Sequence, residues 1–229
     1  MSQVQSNEIR VPDSPATLGR HDTPEPAPAE PTAVVVGAGG DPLILGLPIF
    51  AVGALALGMV LVGFMPATAL GAIVPIVLFA TGLYLAVVTV WAAVLGLTMV
   101  AGITGTFSGF WLSLAGLLLG LQHNWYGIAA ADAAKTQELF FIAWGCLFLF
   151  LLVPCLRLPA VYPAIVGLVV AACAIASASA HLGNADLLKV SGYIILVLAL
   201  LGFYAFVNVG LTAMGAKRPF PPLGRPLVQ

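Results

Sequence analysis

The sequence predicts an all-α membrane protein with six transmembrane helices behind a disordered N-terminal tail. Three observations carry that prediction. Of 229 residues, 61% are apolar and only 7% are charged, against about 45–50% and about 25% in soluble domains. Eight of the charges crowd into residues 1–41. The 90 residues between Asp41 and Asp132 then contain no Asp, Glu, Lys or Arg. That stretch is long enough for three crossings of a hydrocarbon core roughly 30 Å thick, at about 20 residues per helix.

The elements follow in order. Residues 1–41 hold Pro12, Pro15, Pro24, Pro26, Pro28 and Pro31 among acidic and small polar residues. Such a segment buries too little apolar surface to offset its ordering entropy, so a disordered Pro-rich tail is expected. It lacks the basic start and apolar core of a secretory signal. Six apolar segments come next, at about Leu43–Phe64, Ala69–Ala93, Leu97–Leu121, Leu139–Leu156, Ala160–Ala180 and Leu187–Met214. Met65-Pro66, Gly96, a polar loop Gln122–Thr136, Arg157 with Pro159, and His181–Asp186 separate them. Helices are required because lipid offers no partners to open backbone groups, and the alternation of a membrane barrel is missing. The expected division is a tail at 1–41, a six-helix domain at 42–216 and a short basic tail at 217–229.

An even number of spans puts both termini on one side. Arg10, Arg20, Arg157, Lys217, Arg218 and Arg225 fall there, against Lys135 and Lys189 opposite. The positive-inside rule places that side in the cytoplasm, for a multi-pass protein expected in the cell (plasma) membrane.

Several functions are excluded or left without support. Basic clusters for nucleic acid are missing, as is a phosphate-binding glycine loop of the Walker type. Apart from Lys189 at the start of span 6, no predicted span contains a charged side chain, so neither an intramembrane relay carboxylate nor a voltage sensor is expected. His21 falls in the tail, His123 in a loop and His181 at a span end. Cys146, Cys155 and Cys173 lie singly in apolar helices and read as packing residues. No metal motif or nucleophile with a base is visible, so no cofactor, no metal and no enzymatic activity are expected.

Span 3 is the most polar, with Thr98, Thr104, Thr106, Ser108 and Ser113. Thr104 and Ser108 share a face at i, i+4, and Gly105/Gly109 and Gly116/Gly120 are small pairs that let helices approach. Two readings stay open: the hydroxyls bond back to their own helix, or they line a solute path. Span 6 has Tyr204, Asn208 and Thr212 at i, i+4, i+8. An amide in hydrocarbon is costly without a partner, so Asn208 either bonds a neighbouring element or lines a wet cavity. Thr104, Thr106, Ser108, Tyr204 and Asn208 are the candidate pore-lining or substrate-binding residues.

Three places in this framework resemble the acetate uptake transporters, a family of six-span proteins. Span 1 opens with Asp41-Pro42-Leu43-Ile44-Leu45-Gly46-Leu47 and Phe50 three residues on, where the family has Asn-Pro-x-Pro-Leu-Gly-Leu and a Phe. Span 3 has Thr106-Phe107-Ser108-Gly109-Phe110-Trp111-Leu112, where the family has Ser-Tyr-Gly-small-Phe-Trp-Leu. After span 6 comes Arg218-Pro219-Phe220-Pro221-Pro222-Leu223-Gly224, similar to the family's Arg-x-x-Leu-Pro-x-Gly. The sequence departs at Asp41, at Ile44, at Phe107 (a lost tyrosine hydroxyl) and in Leu85–Ala92, which has neither the Gln nor the Glu common in the family.

The resemblance implies a homohexamer with one pore per subunit. It also implies an apolar constriction from spans 1, 3 and 5, which carried over by position is Phe50, Phe107 and Val169. The implied function is a channel or proton-coupled transporter, a symporter, for acetate and similar small monocarboxylates. The expected partners are thus the small carboxylate, membrane lipid and further copies of the chain, with no nucleic acid. The alternatives are a pore for small neutral solutes such as ammonia or urea, and a non-transporting scaffold of the same fold.

Overall fold

The computed structural model describes residues 40–228. The expected disordered tail, with His21, Arg10 and Arg20, lies outside these residues through position 39. Six helical spans follow, each long and apolar enough to cross a membrane. They are α1 (Leu43–Leu61), a composite second span ending in α2 (Tyr84–Val94), α3 (Thr98–His123), α4 (Ala133–Cys155), α5 (Val161–Leu182) and α6 (Ala185–Ala213).

Their ends have local causes. Asp41 Oδ1 accepts the Leu43 N–H at 2.9 Å at the start of α1, one of the donors a helix start leaves unpaired. Asn124 in the left-handed region (φ 52°) closes α3, and Gly183 (φ 62°) closes α5. One residue later, Asn184 Oδ1 caps α6 by accepting from Asp186 N at 2.9 Å. Ser179 Oγ donates to the Asn184 carbonyl at 2.7 Å, fixing the turn between α5 and α6.

The second span departs from the continuous helix expected. It runs as a 3-10 segment (Ala67–Ile73), then a π-helical segment (Ile76–Leu83), then α2. Pro66 and Pro75 flank the first part, and each lacks a backbone donor. Widening to the π form leaves carbonyls for partners outside the helix. Ser108 Oγ on α3 donates to Gly82 O at 2.8 Å, and Thr81 Oγ1 donates to Ile49 O on α1 at 3.1 Å. These hydroxyls therefore hold span 2 between α1 and α3.

Two expected boundaries are corrected. The fourth span begins at Ala133, six residues before Leu139, and the loop shrinks from Gln122–Thr136 because α3 runs to His123 and a 3-10 turn (Ala130–Asp132) precedes α4. The sixth begins at Ala185. The spans therefore contain Lys135, Glu138 and Asp186 as well as Lys189. These charges sit in the first two turns of α4 and α6, where they pair with one another.

Packing is tightest between α1 and α6. A Cβ on Gly192 would stand 3.0 Å from Val62 N, and one on Gly202 would stand 3.0 Å from the Ala51 Cβ. Close helix approach in lipid depends on such small residues. In contrast, α4 turns Leu139, Leu149, Phe150 and Val153 outward, an apolar face suited to lipid. The inner face of α4 carries Phe140, Trp144 and Phe148 at i, i+4, i+8.

Candidate functional site

The inner faces converge on an aromatic cluster at mid-bundle. Phe50 comes from α1 and Phe107 from α3, and both are buried. Their rings meet edge to face with centroids 4.8 Å apart. One turn along α3, Trp111 stands 6.5 Å from Phe50. Phe148 of α4, fully buried, backs Phe107 at 4.9 Å. Phe110 closes the stack against Phe140, Trp144 and Phe148 at 5.6–5.7 Å. Each such pair contributes about 0.5–1.5 kcal/mol beyond area burial, so the Phe107 ring is held from behind.

Two cavities lie on either side of the Phe50 and Phe107 contact, and among the described residues those two alone line both. The wide cavity, about 320 Å³, extends to Gly63, Met65, Gln137, Ala185 and Lys189 at the ends of α1, α4 and α6. The narrow cavity, about 100 Å³, extends the other way to Leu43, Val100, Leu158 and Tyr162, at the starts of α1, α3 and α5. Either is roomy for a solute a few times the roughly 30 Å³ share of one water. Because the spans alternate in direction, the narrow cavity faces the side of the C terminus and the wide one faces the opposite side.

The structure brings Phe50, Phe107 and Val169 to one place: all three line the wide cavity, with Val169 on that side alone. Thr104 lines the narrow cavity. Its Oγ1 donates to Val100 O at 2.8 Å and stands 3.0 Å from Thr89 Oγ1. Ser108 lines neither cavity, its hydroxyl being engaged with Gly82 O. Thr106 is half-buried and lines neither.

Tyr204 and Asn208 also line neither cavity. Tyr204 Oη donates to Pro222 O at 2.6 Å, and Asn208 Nδ2 donates to Pro221 O at 2.6 Å. Of the two readings of the span 6 stripe, the structure gives the bonded one: it anchors the C-terminal segment. That segment doubles back across the helix ends. Val161 N donates to Leu223 O at 3.1 Å, and Leu227 N donates to Leu156 O at 3.0 Å. Leu223 packs against the buried cluster of Leu47, Ala205 and Val209. The Arg218–Gly224 motif is thus a strap tying α5 and α6 beside the narrow cavity.

Sequence reasoning missed Phe148 and Trp144, although their i, i+4 spacing on α4 was a visible signal. It also missed Trp111 Nε1, which is buried without a hydrogen-bond partner. Among the described residues, no group of His, Cys, Asp and Glu is placed to hold a metal ion. Two apolar chambers meeting at one aromatic contact leave room for a small solute to pass when the rings part.

A family model described as the GPR1/FUN34/yaaH family matches residues 24–216. Among solved structures, that of the bacterial acetate channel SatP is similar to this chain with a TM-score of 0.72 and 22% identity, over 81% of this chain and 99% of that one. At that identity the likeness is one of fold. No curated protein matches the chain.

Proposed function

The chain belongs to the GPR1/FUN34/yaaH family, and from that premise we propose that it is a membrane channel or proton-coupled transporter for acetate and similar small monocarboxylates. The observation that carries the reading is the pair of cavities that meet at Phe50 and Phe107, the residues lining both. Resemblance to the acetate uptake transporters and the fold likeness to the acetate channel SatP support it. In this reading Phe50, Phe107 and Val169 form the constriction. The protein works in the plasma membrane with its termini in the cytoplasm, as a homohexamer with one path per subunit.

The chemistry of the gate decides the form of the permeant. An unpaired carboxylate in a dry ring costs several kcal/mol. Phe107 brings no hydroxyl to offset that, and the hydroxyls of Thr104 and Ser108 are engaged with backbone carbonyls. Trp111 Nε1, buried without a partner among the described residues, can bond the carbonyl oxygen of a neutral acid but supplies no charge to balance a carboxylate. The acid therefore crosses the ring neutral, carrying its own proton. A small acid titrates near about pH 4, so roughly one molecule in 10³ is neutral at pH 7, rising tenfold per unit of acidification.

The test is uptake of labelled acetate into liposomes containing the purified protein, from about pH 5 to about pH 8. The expected result is an initial rate that climbs steadily as pH falls. A flat profile overturns the neutral-permeant step. Flux of urea or ammonia without acetate flux favours a neutral-solute pore, and no flux of any of them favours a scaffold.

A further inference from the structure

The wide cavity has a feature that its gate does not use. Its wall is apolar apart from Trp111, Gln137, Lys189 and Ser191. Ser191 Oγ already donates to Ala172 O at 3.0 Å. Lys189 is the one charged side chain, among the described residues, that lines either cavity. Its ammonium stands 2.9 Å from Asp186 Oδ1, with the two side chains 52% and 85% exposed. An exposed pair of this kind is weakened by solvent and contributes little, so the ammonium exchanges partners readily.

The other charges at this end are differently arranged. Glu138, only 12% exposed, holds Lys135 at 2.8 Å and His181 at 3.1 Å. None of those three lines the cavity. An anion entering the wide cavity therefore meets a single cation, and the present partner of that cation is an exposed carboxylate with the same chemistry as a small organic acid.

We propose that Lys189 is the capture site of the wide cavity: its ammonium binds the carboxylate of the incoming acid in place of, or beside, Asp186 and concentrates it ahead of the gate. This rests on the monocarboxylate reading above. Three ammonium donors accommodate both carboxylates. The aliphatic stem lies against apolar wall while the charged head stays wet, so the anion is bound without being stripped of water. Protonation and the dry step come later, at the rings. The site also sets selectivity, because a dicarboxylate would bring a second charge into a wall with no second cation.

The experiment measures initial rates of labelled acetate uptake at pH 7 against acetate concentration, using the full chain in liposomes. It compares wild type with Lys189→Gln, Lys189→Arg, Lys189→Glu and Asp186→Asn. Two ionic strengths are used, about 10 mM and about 300 mM, between which the screening length falls from about 30 Å to under about 8 Å. Lys189→Gln is expected to raise KM roughly two- to fivefold at low salt, the range of one exposed ion pair, with Vmax within about twofold. Lys189→Glu raises KM further, Lys189→Arg stays near wild type and Asp186→Asn lowers KM. All differences shrink at high salt. A Lys189→Gln KM equal to wild type at low salt, or a change in Vmax alone, overturns the proposal while leaving the transport reading standing. No acetate flux in wild-type liposomes overturns both.

Discussion

The wide cavity draws its wall from all six spans and ends at helix termini that carry Gln137, Ala185 and Lys189. The narrow one draws on α1 to α3, α5 and the α4–α5 turn, beside a strap bolted down through Tyr204, Asn208, Leu156 and Val161. The wide end is broad and carries the exposed Lys189–Asp186 pair beside the more buried Glu138 with Lys135 and His181. The other is small and fixed by backbone hydrogen bonds, which cost more to leave unmade than exposed ion pairs do. Under the proposed transport reading, the difference implies a division of labour: the wide side gathers and selects, the rings discriminate, and the narrow side is a braced exit or entrance with little freedom of its own.

The strongest attempt to break that picture is at the ring. Val169 lines only the wide side of it, so Val169→Trp plugs the broad chamber where it meets the rings. Flux should fall by about tenfold or more, the change that goes with about 1.4 kcal/mol on the barrier. Phe50 lines both chambers, so Phe50→Ala joins them and should raise flux or broaden the range of acids carried. The second variant also loses about 3–5 kcal/mol of packing, so its rate is read alongside monodispersity in detergent. Unchanged flux in Val169→Trp would put the wide cavity off the path altogether.

A smaller effect is expected at the strap. Asn208→Ala leaves the Pro221 carbonyl without its 2.6 Å donor, which costs about 1–3 kcal/mol in a buried setting. The expected result is a lower Tm for the full chain with the acetate KM unchanged, because the residue lines neither cavity. Tyr204→Phe should do the same more weakly, since the bond of its hydroxyl to Pro222 is more exposed. A shift in KM without loss of Tm would mean that the strap acts on the permeant and that the narrow side is the selective one.

Much of this architecture was legible in the sequence, and the gaps have physical reasons. Five spans could be placed to within a few residues because 90 uncharged residues, Gly96 and the Gly183-Asn184 break leave little freedom. The start of span 4 was misplaced because Lys135 and Glu138 look like loop residues until their i, i+3 pairing and the partnership with His181 are seen. The 3-10 and π segments of span 2 had no signal beyond Pro66 and Pro75. They depend on Ser108 and Thr81 reaching across from and to other helices. The proposed gate came from resemblance and not from composition, since the aliphatic Leu57, Ile195 and Leu198 in a cavity wall are of the same kind as Leu55, Val197 and Leu200 on the outside. The span 6 stripe was legible as polar, but its partners lie in a proline segment that looks like a loose tail.

The smallest expected effect is the most discriminating for the narrow side. Thr104 lines that cavity, and its hydroxyl is a candidate escort for a carboxylate. Yet that hydroxyl is already committed to Val100 O at 2.8 Å and rests 3.0 Å from Thr89 Oγ1, which in turn donates to Leu85 O at 2.7 Å. Thr104→Val removes the oxygen and nearly keeps the shape. The Thr89 hydroxyl retains its backbone acceptor, so no buried donor is orphaned, and the stability change should stay near about 1 kcal/mol or less. Acetate flux and its pH profile should remain within about twofold of wild type, because a neutral acid needs no escort. A large loss of flux at unchanged Tm would show the anion itself moving along the Thr104 wall, and the narrow chamber would become the selective half of the path.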